Sequence, residues 1–275
     1  MTFGERLADA LDDRGSLCVG IDPHPELLID WGLSDDVDGL ARFADACVSA
    51  FGDTAAVVKP QSAFFERFGS AGVAVLERTI RECREVGALL LLDVKRGDIG
   101  STMAAYARAY LDPASPMASD AITVSPYLGI GSLQPVFDLV ESTGVGSFVL
   151  AATSNPEGPQ LQHARTADGR TVAQTVVDEM AVRNSGAPRL GSFGVVAGAT
   201  IAPGRVSFAG LNGPILAPGI GAQGGTADDV RRIFGAATPN VIPSVSRDVL
   251  SQGYDVTALR DAVHRLVAEF NFLRP

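Results

Sequence analysis

The sequence predicts a single (β/α)8 barrel, and three observations predict it. Short, near-continuously apolar runs recur eight times along the chain. Amphipathic stretches of helical spacing separate them. The length, 275 residues, suits one barrel of roughly 250 residues better than a small single-core domain. Parallel strands covered on both faces lose the polar–apolar alternation of a half-exposed strand, which is the pattern seen. A doubly wound open sheet would carry a glycine-rich dinucleotide turn after its first strand. Here that strand runs into Val19-Gly20-Ile21-Asp22-Pro23-His24-Pro25, which lacks the G-x-G-x-x-G spacing.

In chain order, the first apolar run covers 17–22. Leu40, Phe43, Ala44, Cys47, Val48 and Phe51 then recur at helical spacing in 36–53. The second run is 55–60. Val73, Leu76, Ile80 and Cys83 mark a helix over 69–87, with Gly87 as its C-terminal stop. The third run, 88–95, leads to a shorter helix at 101–111, and the fourth, 121–126, to one at 133–140. After the fifth run, 147–154, the polar Gly/Pro-containing stretch 155–170 reads as a long loop before a helix at 171–185. The sixth run is 193–199. Residues 200–212 are weakly patterned, and no helix is placed there. The seventh run, 214–219, opens into a glycine-rich loop and a helix starting near Asp228 and Asp229. The eighth is 241–247. A long helix over 255–273, capped by Asp255, closes the chain. No linker interrupts the pattern, so 1–275 reads as one domain.

Hydrophobic residues make up 46% and charged residues 20%, which excludes global disorder. A formal charge of −10 disfavours general nucleic-acid binding and anionic membrane surfaces. Any anionic ligand must then be held by local cations or backbone N–H groups. Cys18, Cys47 and Cys83 are odd in number and lie in apolar patterned segments, so they read as core residues of a reduced, cytoplasmic protein. The start has no basic segment followed by an apolar one, as a secretory leader would. No run approaches the ~18 apolar residues of a membrane span. His24, His163 and His264 are scattered without ligand spacing, and no metal or cofactor is expected. His24 reads as a loop residue and His264 as one on a helix face.

Lysine and arginine together number 22, yet only Lys59 and Lys95 are lysines. A GC-rich coding background explains the drift to arginine. The two surviving lysines each end an apolar run beside a turn. Arginine cannot replace a compact ammonium that must give up a proton.

Catalytic groups of a barrel sit where strands end, at the face built by the βα loops. The runs end at Asp22, at Lys59, in Asp93-Val94-Lys95-Arg96-Gly97-Asp98, at Thr153-Ser154, in Pro218-Gly219-Ile220-Gly221-Ala222-Gln223-Gly224-Gly225, and at Ser246-Arg247. Asp93 and Lys95, two apart on a strand, share a face. With Lys59 and Asp98 they make a set of two cations and two anions. A purely structural ion-pair network is the bland alternative. Buried pairs stabilise poorly, however, so such a network at a functional face points to chemistry. The 219–225 loop and Arg247 are placed where this fold holds phosphate, with glycines letting backbone N–H groups approach an anion.

The stretch from Asp93 to Thr102, together with Lys59-Pro60-Gln61 and the 218–225 loop, resembles the orotidine 5'-phosphate decarboxylases. The stretch Lys59 to Glu66, the segment Thr153-Ser154-Asn155-Pro156-Glu157-Gly158 and the length are similar to the longer bacterial (type 2) subgroup. The resemblance spans about 17 to 250. It implies cofactor-independent conversion of orotidine 5'-phosphate to UMP, the last step of de novo UMP synthesis. Lys59, Asp93, Lys95 and Asp98 would form the charged tetrad. Lys95 would stabilise the carbanion at C6 and protonate it, with Asp93 against the substrate carboxylate. Lys59 would bridge Asp93 and the ribose. Asp22 would bind a ribose hydroxyl and Ser154 the pyrimidine. Gln223 and Arg247, with Gly221 and Gly224 in the loop, would hold the phosphate. Asp98 and Thr102 would reach into a partner's site, making the active form a homodimer.

Two departures stand out. Ser246 replaces a glycine common in the family before the phosphate arginine, and no tyrosine lies between 213 and 235. The D-x-K-x-x-D motif is also shared with Mg²⁺-dependent phosphosugar decarboxylases and synthases. A Schiff-base aldolase and a non-catalytic nucleotide sensor remain as further alternatives.

Overall fold

An apolar run with no polar face needs cover on both sides. The chain supplies it by alternating strands with helices. The computed structural model describes residues 1–273. Its strands are β1 (Cys18–Ile21), β2 (Val57–Pro60), β3 (Leu89–Arg96), β4 (Ala121–Val124), β5 (Gly146–Ala152), β6 (Phe193–Ala197), β7 (Ile215–Pro218) and β8 (Val241–Val245). All neighbours are parallel and follow chain order around a closed barrel. The seam is β1 on β8, through Cys18↔Ser244 and Val19↔Val245. The predicted (β/α)8 fold is the observed one. Each strand is trimmed by a residue or more at one or both ends of its apolar run, except that β3 runs on to Arg96 and β5 begins one residue early, at Gly146.

The helices are α1 (Phe3–Arg14), α2 (Pro25–Asp30), α3 (Val37–Phe51), α4 (Ser62–Glu66), α5 (Gly69–Glu85), α6 (Gly100–Leu111), α7 (Gln134–Thr143), α8 (Gly158–Gln162), α9 (Val172–Arg183), α10 (Ala227–Phe234), α11 (Arg247–Leu250) and α12 (Val256–Glu269). Asp255 caps α12 as expected, accepting from the N–H groups of Thr257 and Ala258. That helix stops at Glu269, short of the predicted 273, and a 3-10 turn follows over Asn271–Leu273. The long loop after β5 contains the short α8. Between β6 and β7 there is no helix, which is why 200–212 showed no period. The connection is tied down from α9's side instead. Buried Asn184 donates to the carbonyls of Phe193 and Leu211 at 2.8 and 3.0 Å. Gln174 exchanges a pair of bonds with the backbone of Ser207.

The strand period of two sorts residues onto two sides of the wall. Along β3, Leu90, Leu92 and Val94 pack outward among the helices. Leu91 points inward, and so does Asp93, two residues on. Likewise Val57 and Lys59 of β2, and Ala121 and Thr123 of β4, point inward. The interior is thus layered. Its lower layer is apolar, made of Cys18, Val57, Leu91, Phe148 and Ile242 among others. Its upper layer carries the polar groups.

Helix α1 was not foreseen, and it closes the lower end. Its capping box pairs Thr2 and Glu5 reciprocally. Phe3, Leu7, Ala8 and Leu11 join the lower layer, and the Phe3 ring meets Phe148 edge-on at 6.0 Å. The cysteines are buried free thiols. Burial pushes Cys18 up to about 12.

Candidate active site

The upper layer opens into a cavity of about 850 Å³ at the C-terminal ends of the strands. Asp93 lies at its centre, only 6% exposed. Lys59 Nζ donates to Asp93 Oδ2 at 3.1 Å. Lys95 Nζ donates to Asp93 Oδ1 at 2.5 Å. The Thr123 hydroxyl donates to the same Oδ1 at 2.7 Å. Burial works against the charged carboxylate. The two ammoniums and these hydrogen bonds outweigh it and hold Asp93 well below the usual carboxylate range. Burial also works against the Lys59 ammonium, but Asp93 and Asp22 overcome it and raise its affinity for the proton. Lys59 is enclosed, whereas the Lys95 side chain is 46% exposed and faces the cavity. Two cations therefore share one carboxylate, and Lys95 is the more open of the two to the cavity.

Lys95 has φ +46°, the left-handed region that side chains avoid. The pairing of β3 with β4 shifts there, passing from Leu92↔Ile122 to Arg96↔Val124. The expectation that Asp93 and Lys95 share a face is met, but across a bulge and not along a regular strand. Gln61 spans the gap from β2, donating to the Asp93 carbonyl at 3.3 Å.

Around this centre the cavity wall carries Asp22, Ser154, Gln223 and Arg247, all singled out in the sequence. Asp22 Oδ1, Ser154 Oγ and Ser246 Oγ are buried yet have no protein partner. Buried polar atoms are almost always paired, so these three fit a polar ligand. Arg247 opens α11, just past the end of β8, and makes no ion pair with any described residue. Gly198 leaves room for Ser154. A side chain at 198 would begin 1.9 Å from its Oγ.

The glycine loop works differently from expectation. Gly221 and Gly224 do not line the cavity. Their N–H groups are spent within the loop, on Gly225 O at 2.9 Å and Gly221 O at 2.7 Å, and that of Gly225 goes to Gly219 O. The wall is formed by Gly219, Ile220, Ala222 and Gln223. Gly221 is required for shape, since at φ +66° an added Cβ would lie 1.5 Å from Asp248 Oδ2.

Asp98 and Thr102 also lie outside this chain's cavity. The Asp98 carboxylate accepts from the N–H of Ile99 at 2.8 Å, and Thr102 is exposed on α6. Around them Ile99, Tyr127 and Leu128 are 62%, 72% and 51% exposed. These two loops adjoin, because Ser125 N donates to Arg96 O at 2.8 Å.

Sequence reasoning missed two contributors. His24 sits at the cavity edge with its ring 4.2 Å from that of Phe64, and burial lowers its proton affinity. Thr123 is the one polar residue in β4 and is in phase with the inward positions, which was the available signal.

Fold and site together define a barrel enzyme that takes a small anionic ligand against a lysine–carboxylate–lysine centre. The chain belongs to the orotidine 5'-phosphate decarboxylase / HUMPS family, whose model matches residues 15–262. It is 63% identical over 268 residues to the orotidine 5'-phosphate decarboxylase of Salinispora arenicola, covering 98% of this chain and 96% of that protein. A crystal structure from Streptomyces avermitilis superposes with a TM-score of 0.96 at 59% identity, covering 99% of this chain and 95% of that one. The OMP decarboxylase of Leishmania donovani superposes at 0.77 with 29% identity, over 100% and 99% of the two chains. No helix among the described residues is long and apolar enough to cross a membrane.

Proposed function

We propose that the protein decarboxylates orotidine 5'-phosphate to UMP without a metal or organic cofactor. The observation that carries this is Asp93, buried between Lys59 and Lys95, with the Lys95 ammonium facing the cavity. Breaking the bond from C6 to the carboxylate releases CO₂ and leaves an electron pair in the plane of the ring. That pair cannot spread into the π system. A fixed positive charge aimed at C6 stabilises it as it forms. Lys95 supplies the charge and then transfers a proton from Nζ to C6, and solvent reprotonates the amine. Asp93 holds that ammonium in place and lies against the departing carboxylate. Asp22 takes a ribose hydroxyl, Ser154 the pyrimidine, and Gln223 with Arg247 the phosphate. The phosphate supplies binding energy remote from the reacting carbon, which is spent on ordering the site. The near-full-length match to proteins named as decarboxylases supports this reading over a phosphosugar synthase. A lysine held protonated by a carboxylate is also a poor nucleophile for Schiff-base chemistry.

The direct test is loss of orotidylate absorbance on adding purified protein with EDTA present. Turnover is expected to be unaffected by the chelator. Activity that requires added Mg²⁺ would favour the phosphosugar reading, and nucleotide binding without CO₂ release would favour a sensor.

The same reading makes the active form a homodimer in which Asp98 and Thr102 complete the partner's site. Their position outside this chain's own cavity, within an exposed apolar rim, supports it. Lys95→Ala and Asp98→Ala proteins are each expected to be inactive. After mixing and subunit exchange, about a quarter of the wild-type sites should return, because half the dimers are mixed and each holds one intact site. No recovery after demonstrated exchange would refute the shared site.

A further inference from the structure

We propose that Thr123 is a positioning residue for the reaction, and that its hydroxyl locks the strained backbone of Lys95 and the carboxylate of Asp93 into one unit. This rests on the decarboxylase reading above.

Four groups form a closed circuit. The Lys95 backbone N–H donates to Thr123 Oγ1 at 2.9 Å. The Thr123 hydroxyl donates to Asp93 Oδ1 at 2.7 Å. That same oxygen accepts from Lys95 Nζ at 2.5 Å. The Lys95 side chain joins Nζ back to its own backbone. A hydroxyl has one proton to give and lone pairs to receive, and both functions are used here. Thr123 is 1% exposed.

The circuit answers a question the ladder leaves open. The chain advances four residues on β3, Leu92 to Arg96, against two on β4, Ile122 to Val124, and the Lys95 N–H is taken by the Thr123 side chain. Lys95 lies in that excess, in the left-handed region at φ +46°. Asn212 is the only other non-glycine residue with positive φ among the described residues. Strained conformations persist only where surrounding bonds over-determine them. Here the bond that does so comes from a side chain, and that side chain also orients the carboxylate facing the same lysine. Without the hydroxyl, the N–H of Lys95 loses its partner and Asp93 Oδ1 loses a donor. Nζ can then wander from the position where C6 will sit, and small misplacements of a reacting group carry large rate penalties.

Thr123→Val keeps the shape and removes the hydroxyl, while Thr123→Ser keeps the hydroxyl. The valine protein is expected to lose at least tenfold in kcat, with KM and UMP affinity within threefold of wild type. The serine protein is expected to recover turnover to within threefold. A kcat loss below tenfold, a loss carried by KM, or a loss that serine does not restore overturns the proposal. If the valine protein does not fold, Thr123→Ala carries the same comparison. If the wild type fails to turn over orotidylate, the decarboxylase reading has failed instead. The circuit is then read from hydrogen exchange at the Lys95 amide. Exchange at least tenfold faster in the valine protein supports it, and a smaller change overturns it.

Discussion

Replacing Lys95 with alanine is expected to lower turnover by at least about 10⁴-fold, the product of losing a preorganised charge at the developing carbanion and a positioned proton donor. The protein itself should survive the change. The side chain is 46% exposed, so its truncation opens no core cavity. Asp93 keeps Lys59 and Thr123 as partners, so no buried carboxylate is left unpaired. UMP binding should remain measurable by calorimetry, because the proposed ribose and phosphate contacts lie on other residues. Arginine should not rescue, since a guanidinium does not release a proton at neutral pH. Near-normal turnover in either variant would remove Lys95 from the chemistry and with it the proposed mechanism.

Arg247→Ala is expected to weaken UMP binding by roughly 10- to 100-fold, the worth of one or two hydrogen bonds between charged groups. Affinity for uridine should stay within about twofold, since it lacks the phosphate that pairs with the guanidinium. The contrast between the two ligands is the test. Arg247 is exposed and unpaired among the described residues, so its loss disturbs no internal ion pair. Equal losses for UMP and uridine would show that Arg247 shapes the pocket without touching phosphate. kcat at saturation should fall less than kcat/KM, because the phosphate is remote from the reacting carbon.

The barrel was legible because its strands are apolar on both faces, a pattern that few other arrangements produce. The segments that escaped notice are short. Helices α2, α4, α8 and α11 span four to six residues, too few for a 3.6-residue period to declare itself. The N-terminal α1 is long enough and amphipathic, but the stretch was weighed only as a leader. Strand ends exposed the site, since Asp22, Lys59, Asp93 and Lys95 interrupt apolar runs with charge. Thr123 escaped for the opposite reason: threonine is ordinary in a strand, and only its inward phase set it apart. In the glycine loop, spacing reveals conformational freedom but not where amides are spent. The N–H groups of Gly221 and Gly224 bond within the loop. Asp98 and Thr102 were read into a partner's site, and a single chain shows only that they lie outside its own cavity.

Helix α1 gives the barrel a sealed floor, and that makes the catalytic chamber a cul-de-sac. Substrate, carbon dioxide and nucleotide product must all use one doorway. With aromatic rings of Phe3 and Phe148 beneath it, the lysine–carboxylate centre has no back entrance for bulk solvent. On the proposed mechanism, the proton given by Lys95 would be replenished from the side through which the product leaves, which would tie resetting of the enzyme to emptying of its pocket.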